Sequence, residues 1–220
     1  MLSGIASLGR VAPNASVPKS AFGLWARVCE LRVRGTSALL ILAALNSSAF
    51  AHVGAHTSGL ADGLAHPFSG PDHVLAMVAV GFWASQLGRP AYWLLPLTFP
   101  AVMAFGAAMG ASGMPLPWIE IALAGSVLVL GLAIALALRP AIVASTALIV
   151  LFAVIHGHAH GTELPQSAAA LAYGSGFVGA TLVLHALGLA LGSLSRGAAF
   201  APRAAGAMGA AVGAVLLVMA

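Results

Sequence analysis

The chain has 220 residues, of which 60% are apolar and only 6% charged. Soluble globular domains carry about 25% charged and about 45–50% apolar residues, so a soluble enzyme and a disordered chain are both excluded. The formal net charge of +4 resides at the N-terminus and is no sign of nucleic-acid binding. Arg10, Lys19, Arg27, Arg32 and Arg34 precede residue 35, whereas from residue 52 onward four Arg balance four acids. The single cysteine, Cys29, also lies early, so the remainder has no disulfide and no thiolate metal site.

Residues 27–51 read as a secretory leader. Arg27, Arg32 and Arg34 form a basic region, Ala38 to Leu45 a short apolar core, and Ala49-Phe50-Ala51 a small-x-small cleavage pattern. The expected division is a leader over 1–51, cleaved after Ala51, and a membrane domain over 52–220. An uncleaved signal anchor is the competing reading, and the apolar run is short for one.

The expected fold class is all-α, a polytopic membrane protein. After the leader, Pro, Gly and Arg punctuate apolar runs into about six spans: 65–87, 91–111, 116–138, 140–160, 167–193 and 204–220. Cytoplasmic loops collect Lys and Arg. With His52 outside, Arg89, Arg139, Arg196 and Arg203 all fall on the inner side. Leader and Arg placement thus give one topology, in the inner membrane with the mature N-terminus in the periplasm. The small-residue stretches GSGFVGA (174–180) and GAMGAAVGA (206–214) suit close helix packing.

Ionisable groups inside a bilayer are costly and usually functional. Here they concentrate in two clusters. The first is AHPFSGPDHVLAMVAVG, residues 65–81. His66 and His73 are seven apart, nearly one helical face, with Asp72 beside His73. Pro67, Gly70 and Pro71 interrupt the helix between them, a break tolerated at membrane depth only where protein or a water-filled cavity satisfies the backbone. The second is AVIHGHAHGTE, residues 153–163. His156 and His160 are four apart, and Glu163 shares their face. His158 points elsewhere. Glu120 opens span three and is either a helix cap or part of the site. All seven groups (His66, Asp72, His73, Glu120, His156, His160 and Glu163) belong to the outer half of the expected topology.

An N/O ligand set without thiolate points to a divalent first-row metal, Ni²⁺ or Co²⁺ first, with Zn²⁺ compatible. Open ligation fits a transported ion better than a permanently bound cofactor. Met77 and His185 read as packing and as an inter-helix hydrogen bond, and His52 and His56 as surface groups or an outer metal collector.

His66-Pro67-x-x-Gly70-x-Asp72-His73, followed by Ala76-Met77 and Val80-Gly81, resembles the first signature of the HupE/UreJ family of nickel and cobalt permeases. His156-Gly157-x-Ala159-His160-Gly161-x-Glu163 is similar to its second, with Ile155 where many members have Phe. The resemblance implies secondary uptake of Ni²⁺, sometimes Co²⁺, that supplies hydrogenase, urease or cobalamin synthesis. It also implies that His66, Asp72, His73, His156, His160 and Glu163 are the functional residues.

Two other functions use the same residues. One is an intramembrane metalloenzyme, against which stands the lack of a His-Glu-x-x-His motif. The other is a passive metal channel. No phosphate-binding Gly-Lys-Ser/Thr loop is present, so the expected partners are a divalent ion and the lipid bilayer, and ATP chemistry is not expected.

Overall fold

Proline and glycine decide where each helix begins and ends. The computed structural model describes residues 59–164, 169–198 and 200–220, all within the compact unit Asn46–Ala220. The leader, its cleavage point, His52 and His56 lie outside the described residues. The helices are α1 (Leu60–Ala65), α2 (Pro71–Leu87), α3 (Ala91–Ala111), α4 (Ile119–Ala135), α5 (Ile142–Thr162), α6 (Ala170–Leu194) and α7 (Ala201–Met219), with no strand among the described residues. Pro71 and Pro202 occupy first-turn positions, where the missing N–H would have had no partner anyway. Gly88 ends α2 with φ of 83°, a conformation that costs other residues a steric clash.

Four helices, α3, α5, α6 and α7, are long and apolar enough to cross a membrane. Helices α2 and α4 have 17 residues each, a length of about 25 Å at 1.5 Å per residue, short of a ~30 Å hydrocarbon core. The first expected span, 65–87, is not one helix. A short α1, a 3₁₀ turn at His66–Phe68 and a cap at Gly70 precede α2. The cause is Pro67 and Pro71, which withhold two backbone donors and fix φ.

The core is built on Met77, Val80, Trp83, Leu95, Phe99, Leu130 and Ile149. Met77 is fully buried there, a packing residue as its surroundings in sequence suggest. Large apolar side chains also stand on the surface. Trp93, Phe105, Val143, Leu171 and Val218 are all exposed, a surface that suits lipid rather than water.

Helices pair through glycine. α3 packs on α5, α4 on α7, and both α1 and α2 on α6. On α5, a Cβ at Gly157 would strike the Met103 carbonyl of α3, and one at Gly161 the Ala107 carbonyl. Gly176 and Gly206, from the two small-residue stretches, similarly meet backbone of α1 and α4. With no hydrophobic drive between helices in lipid, such backbone approach supplies the van der Waals contact that holds them.

Side chains also repair helix ends. Trp83 Nε1 donates to Leu138 O at 3.0 Å, and Gln86 Nε2 donates to Ile134 O at 3.2 Å. Ile134 belongs to the last turn of α4, where its carbonyl also accepts from the Ala137 N–H, and Leu138 lies three residues beyond that helix. Inside α3, Pro96 and Pro100 each free a carbonyl one turn back, because neither has an N–H. One of them, Pro96 O, accepts from His185 Nδ1 of α6 at 3.1 Å, the inter-helix bond expected of that histidine.

This packing is testable. We expect Gly157→Ala to destabilise the α3–α5 pair by about 1–3 kcal/mol, the usual cost of overpacking. Gly125→Ala, where nothing among the described residues lies within 4 Å of the added carbon, should be neutral or slightly stabilising. Thermal melting of the two variants in detergent checks this.

Candidate metal centre

The two polar clusters meet. His66 comes from the 3₁₀ turn before α2, Asp72 and His73 from the first turn of α2, and His156 and His160 from the last turns of α5. Glu163 is the residue that caps α5. Because α2 starts where α5 ends, the motifs face each other across the bundle.

The upper tier consists of His66, His160 and Glu163. His66 Nε2 lies 3.0 Å from His160 Nδ1 and 3.2 Å from Glu163 Oε2. Their ligand atoms all fall within 4.8 Å of one another. First-row ions hold N and O ligands at about 2.0–2.2 Å, which sets neighbouring ligands roughly 3–3.5 Å apart. The spacing therefore fits three ligands of one small cation with little movement. The hydrogen bond from His66 holds the Glu163 carboxyl below its ordinary range, against partial burial, which acts the other way.

The lower tier is His73 and His156, with Asp72 behind. His73 Nδ1 donates to Asp72 Oδ1 at 2.8 Å, and His156 Nδ1 donates to Phe152 O at 2.9 Å. A proton held on Nδ1 leaves the Nε2 lone pair free, the arrangement that orients metal-binding imidazoles. In both residues Nε2 is buried without a hydrogen-bond partner among the described residues, and so is Nε2 of His160. Unpaired buried polar atoms are uncommon and need a reason. The tiers are continuous, with the His73 ring 4.2 Å from that of His160 and 5.5 Å from that of His156.

The expected common helical face of His66 and His73 is replaced by something else. The break at Gly70 separates them, and they meet through His160 rather than along one helix. Glu163 joins His66 rather than His156. His158 donates from Nε2 to Met114 O at 2.6 Å, outside the cluster. Glu120 stands exposed in the first turn of α4 and is not among the three grouped ligand residues.

Sequence reasoning missed the aromatic wall supplied by α6. Phe177 lies 4.2 Å from the His160 ring and Tyr173 5.6 Å from that of His66. Nothing in the spacing of either motif points to α6. Beside this wall a cavity of about 500 Å³ is lined by Met103, Ala107, His160, Gly161, Tyr173 and Phe177 among others. The wall and cavity are almost wholly apolar, so charge–ligand interactions here are strong.

Charge is segregated along the bundle. Asp62, Asp72, Glu120 and Glu163 belong to the end that holds the histidines. Arg139, Arg196 and Arg203 surround a cavity of about 390 Å³ with Gly88 and Gln86 at the far end of α2.

A family model described as HupE / UreJ protein matches residues 39–216. The chain is 48% identical over 177 residues to Protein HupE of Rhizobium leguminosarum bv. viciae, a match that covers 80% of this chain and 93% of that protein. No solved structure matches the chain. A match this long, through both histidine motifs, places the chain in the HupE/UreJ family.

Proposed function

We propose that this chain is a permease of the inner membrane that imports a divalent first-row metal, Ni²⁺ first and Co²⁺ second. Membership of the HupE/UreJ family supports a transporter rather than an enzyme. The observation that carries the site is the approach of His66, His160 and Glu163, from motifs 94 residues apart, to within ligand distance.

In this reading α2 to α7 are six spans, with the 17-residue α2 and α4 at the lower limit of about 17 residues for a membrane helix, and the mature N-terminus is periplasmic. The acidic, histidine-bearing end faces the periplasm, and the Arg-bearing end faces the cytoplasm, where basic residues collect. Acids draw the hydrated cation to the mouth. His66, His160 and Glu163 replace part of its water, with Glu120 as an outer contact. The ion then passes to His73 and His156, whose Nε2 lone pairs are unused. Asp72 keeps the His73 tautomer fixed. The imported ion feeds hydrogenase, urease or cobalamin maturation. Membrane potential supplies about 2.3 kcal/mol per charge per 100 mV.

Radiolabelled Ni²⁺ uptake in cells without their own nickel importers tests the reading. The intact chain should import Ni²⁺, and excess Co²⁺ should suppress it. Asp72→Ala and His73→Ala, at equal membrane levels, should lower uptake about 10–100-fold, the usual cost of lost ligands and their supports. Tight stoichiometric metal on a chain that imports nothing would overturn the permease in favour of an enzyme.

Ligating imidazoles must be neutral. We therefore expect uptake to fall as pH drops from neutral to mildly acidic, where protons compete with the metal for the imidazoles. Glu163, held below its ordinary range, stays ionised across that window, so the loss reports on histidine. Initial rates between mildly acidic and neutral pH check this, and a flat profile would contradict imidazole ligation.

A further inference from the structure

His185 does more than its one hydrogen bond explains. It stands on α6 with only 1% of its surface exposed. Its Nδ1 donates to Pro96 O at 3.1 Å. In a regular helix that carbonyl would accept from residue 100, but Pro100 has no N–H. The imidazole fills the gap, and this accounts for Nδ1.

It does not account for Nε2, which is buried and has no partner among the described residues. With the proton on Nδ1, Nε2 presents a lone pair to the interior, as in His156. One turn earlier on the same face of α6, Thr181 is fully buried and its Oγ1 also has no partner. A serine or threonine in a membrane helix ordinarily returns its hydroxyl to a carbonyl one turn back, as Thr146 does to Ile142 O. Thr181 does not.

Phe99 connects these groups to the centre described above. Its ring stands edge-on to His156 at 5.7 Å and to His185 at 5.3 Å. The imidazoles therefore continue past the two tiers: His66, His160, His73, His156, then Phe99, then His185.

We propose that Thr181 and His185 form a further ion station, separated from His156 by Phe99, which receives a divalent first-row metal ion during its passage across the bilayer. The proposal rests on the transport reading. Transfer from His156 to His185 exchanges one imidazole Nε2 for another. Both rings keep their Nδ1 proton on a backbone carbonyl, so the step needs no proton release. The Thr181 hydroxyl adds a neutral oxygen ligand. The Phe99 side chain must swing aside for the ion to pass, which makes the station a separate stop rather than an extension of the outer site.

Uptake kinetics of His185→Asn, His185→Ala and Thr181→Val test the station. The Asn amide reproduces the Nδ1 donor to Pro96 O and lacks the Nε2 ligand. If the station exists, His185→Asn and His185→Ala both lower maximal Ni²⁺ uptake about tenfold or more at equal membrane levels, on the scale of ligand loss. The half-saturating concentration should stay within about twofold, because the outer ligands are intact. Uptake at the intact rate by His185→Asn, with a loss in His185→Ala, would show a role confined to the Pro96 carbonyl and overturn the proposal. If neither His185 variant reaches the membrane, the isosteric Thr181→Val decides: a lowered maximal rate supports the station, and an unchanged rate overturns it. An intact chain that imports no nickel would instead overturn the transport reading, and the station with it.

Discussion

Everything at the histidine end depends on the interruption of the chain between Ala65 and Pro71. Were α1 and α2 one straight helix, His66 would be held along the same axis as His73. The 3₁₀ turn at His66–Phe68 and the restart at Pro71 free it from that axis. His66 then lies against His160 and Glu163, at 3.0 and 3.2 Å. A break of this kind is costly in hydrocarbon, since no water satisfies the freed backbone. It survives because Ser69 N–H and its hydroxyl both return to His66 O, and because α6 packs against the buried Pro67 side of the turn.

The second requirement is that imidazoles be held in one tautomer without consuming the nitrogen that faces inward. The bundle does this with backbone carbonyls and one carboxylate. Phe152 O takes the proton side of His156, Asp72 that of His73, and Pro96 O that of His185. The Pro96 acceptor exists only because α3 contains Pro100. Proline, usually a helix breaker, here converts a lost backbone bond into a support for a side chain on another helix. Glycine does complementary work at the paired helices. Gly157 and Gly161 directly follow His156 and His160 on α5 and bring its backbone against α3, which fixes how the two imidazoles are presented.

Much of this was legible in the sequence. Composition alone excludes water as the only solvent, and Arg and acid positions anticipate the separation of charge along the bundle. The expected boundary of α3, 91–111, coincides with the helix, because Pro90 and Ser112 bracket a uniformly apolar run. The polar clusters were visible because charge is otherwise so rare. Other features were not legible. Periodicity placed His66 and His73 on one face, but periodicity assumes an unbroken helix, and Pro67 and Pro71 break it. The pairing of Glu163 with His66, rather than with His156, depends on which residue caps α5, a matter of one turn. The contributions of Tyr173, Phe177 and Phe99 arise from how helices cross, and tertiary packing leaves no periodic trace in any single segment. Glu120 shows the reverse limit: conspicuous as the sole acid of its region, it stands exposed at the start of α4.

In the proposed function His66, His160 and Glu163 share one transported ion. X-ray absorption at the nickel edge, on purified protein loaded with one equivalent of Ni²⁺, tests this. A mixed N/O shell with the outer-shell scattering of imidazole is expected, reduced by one ring in His160→Ala. A shell of oxygen alone, or one unchanged by His160→Ala, would contradict it.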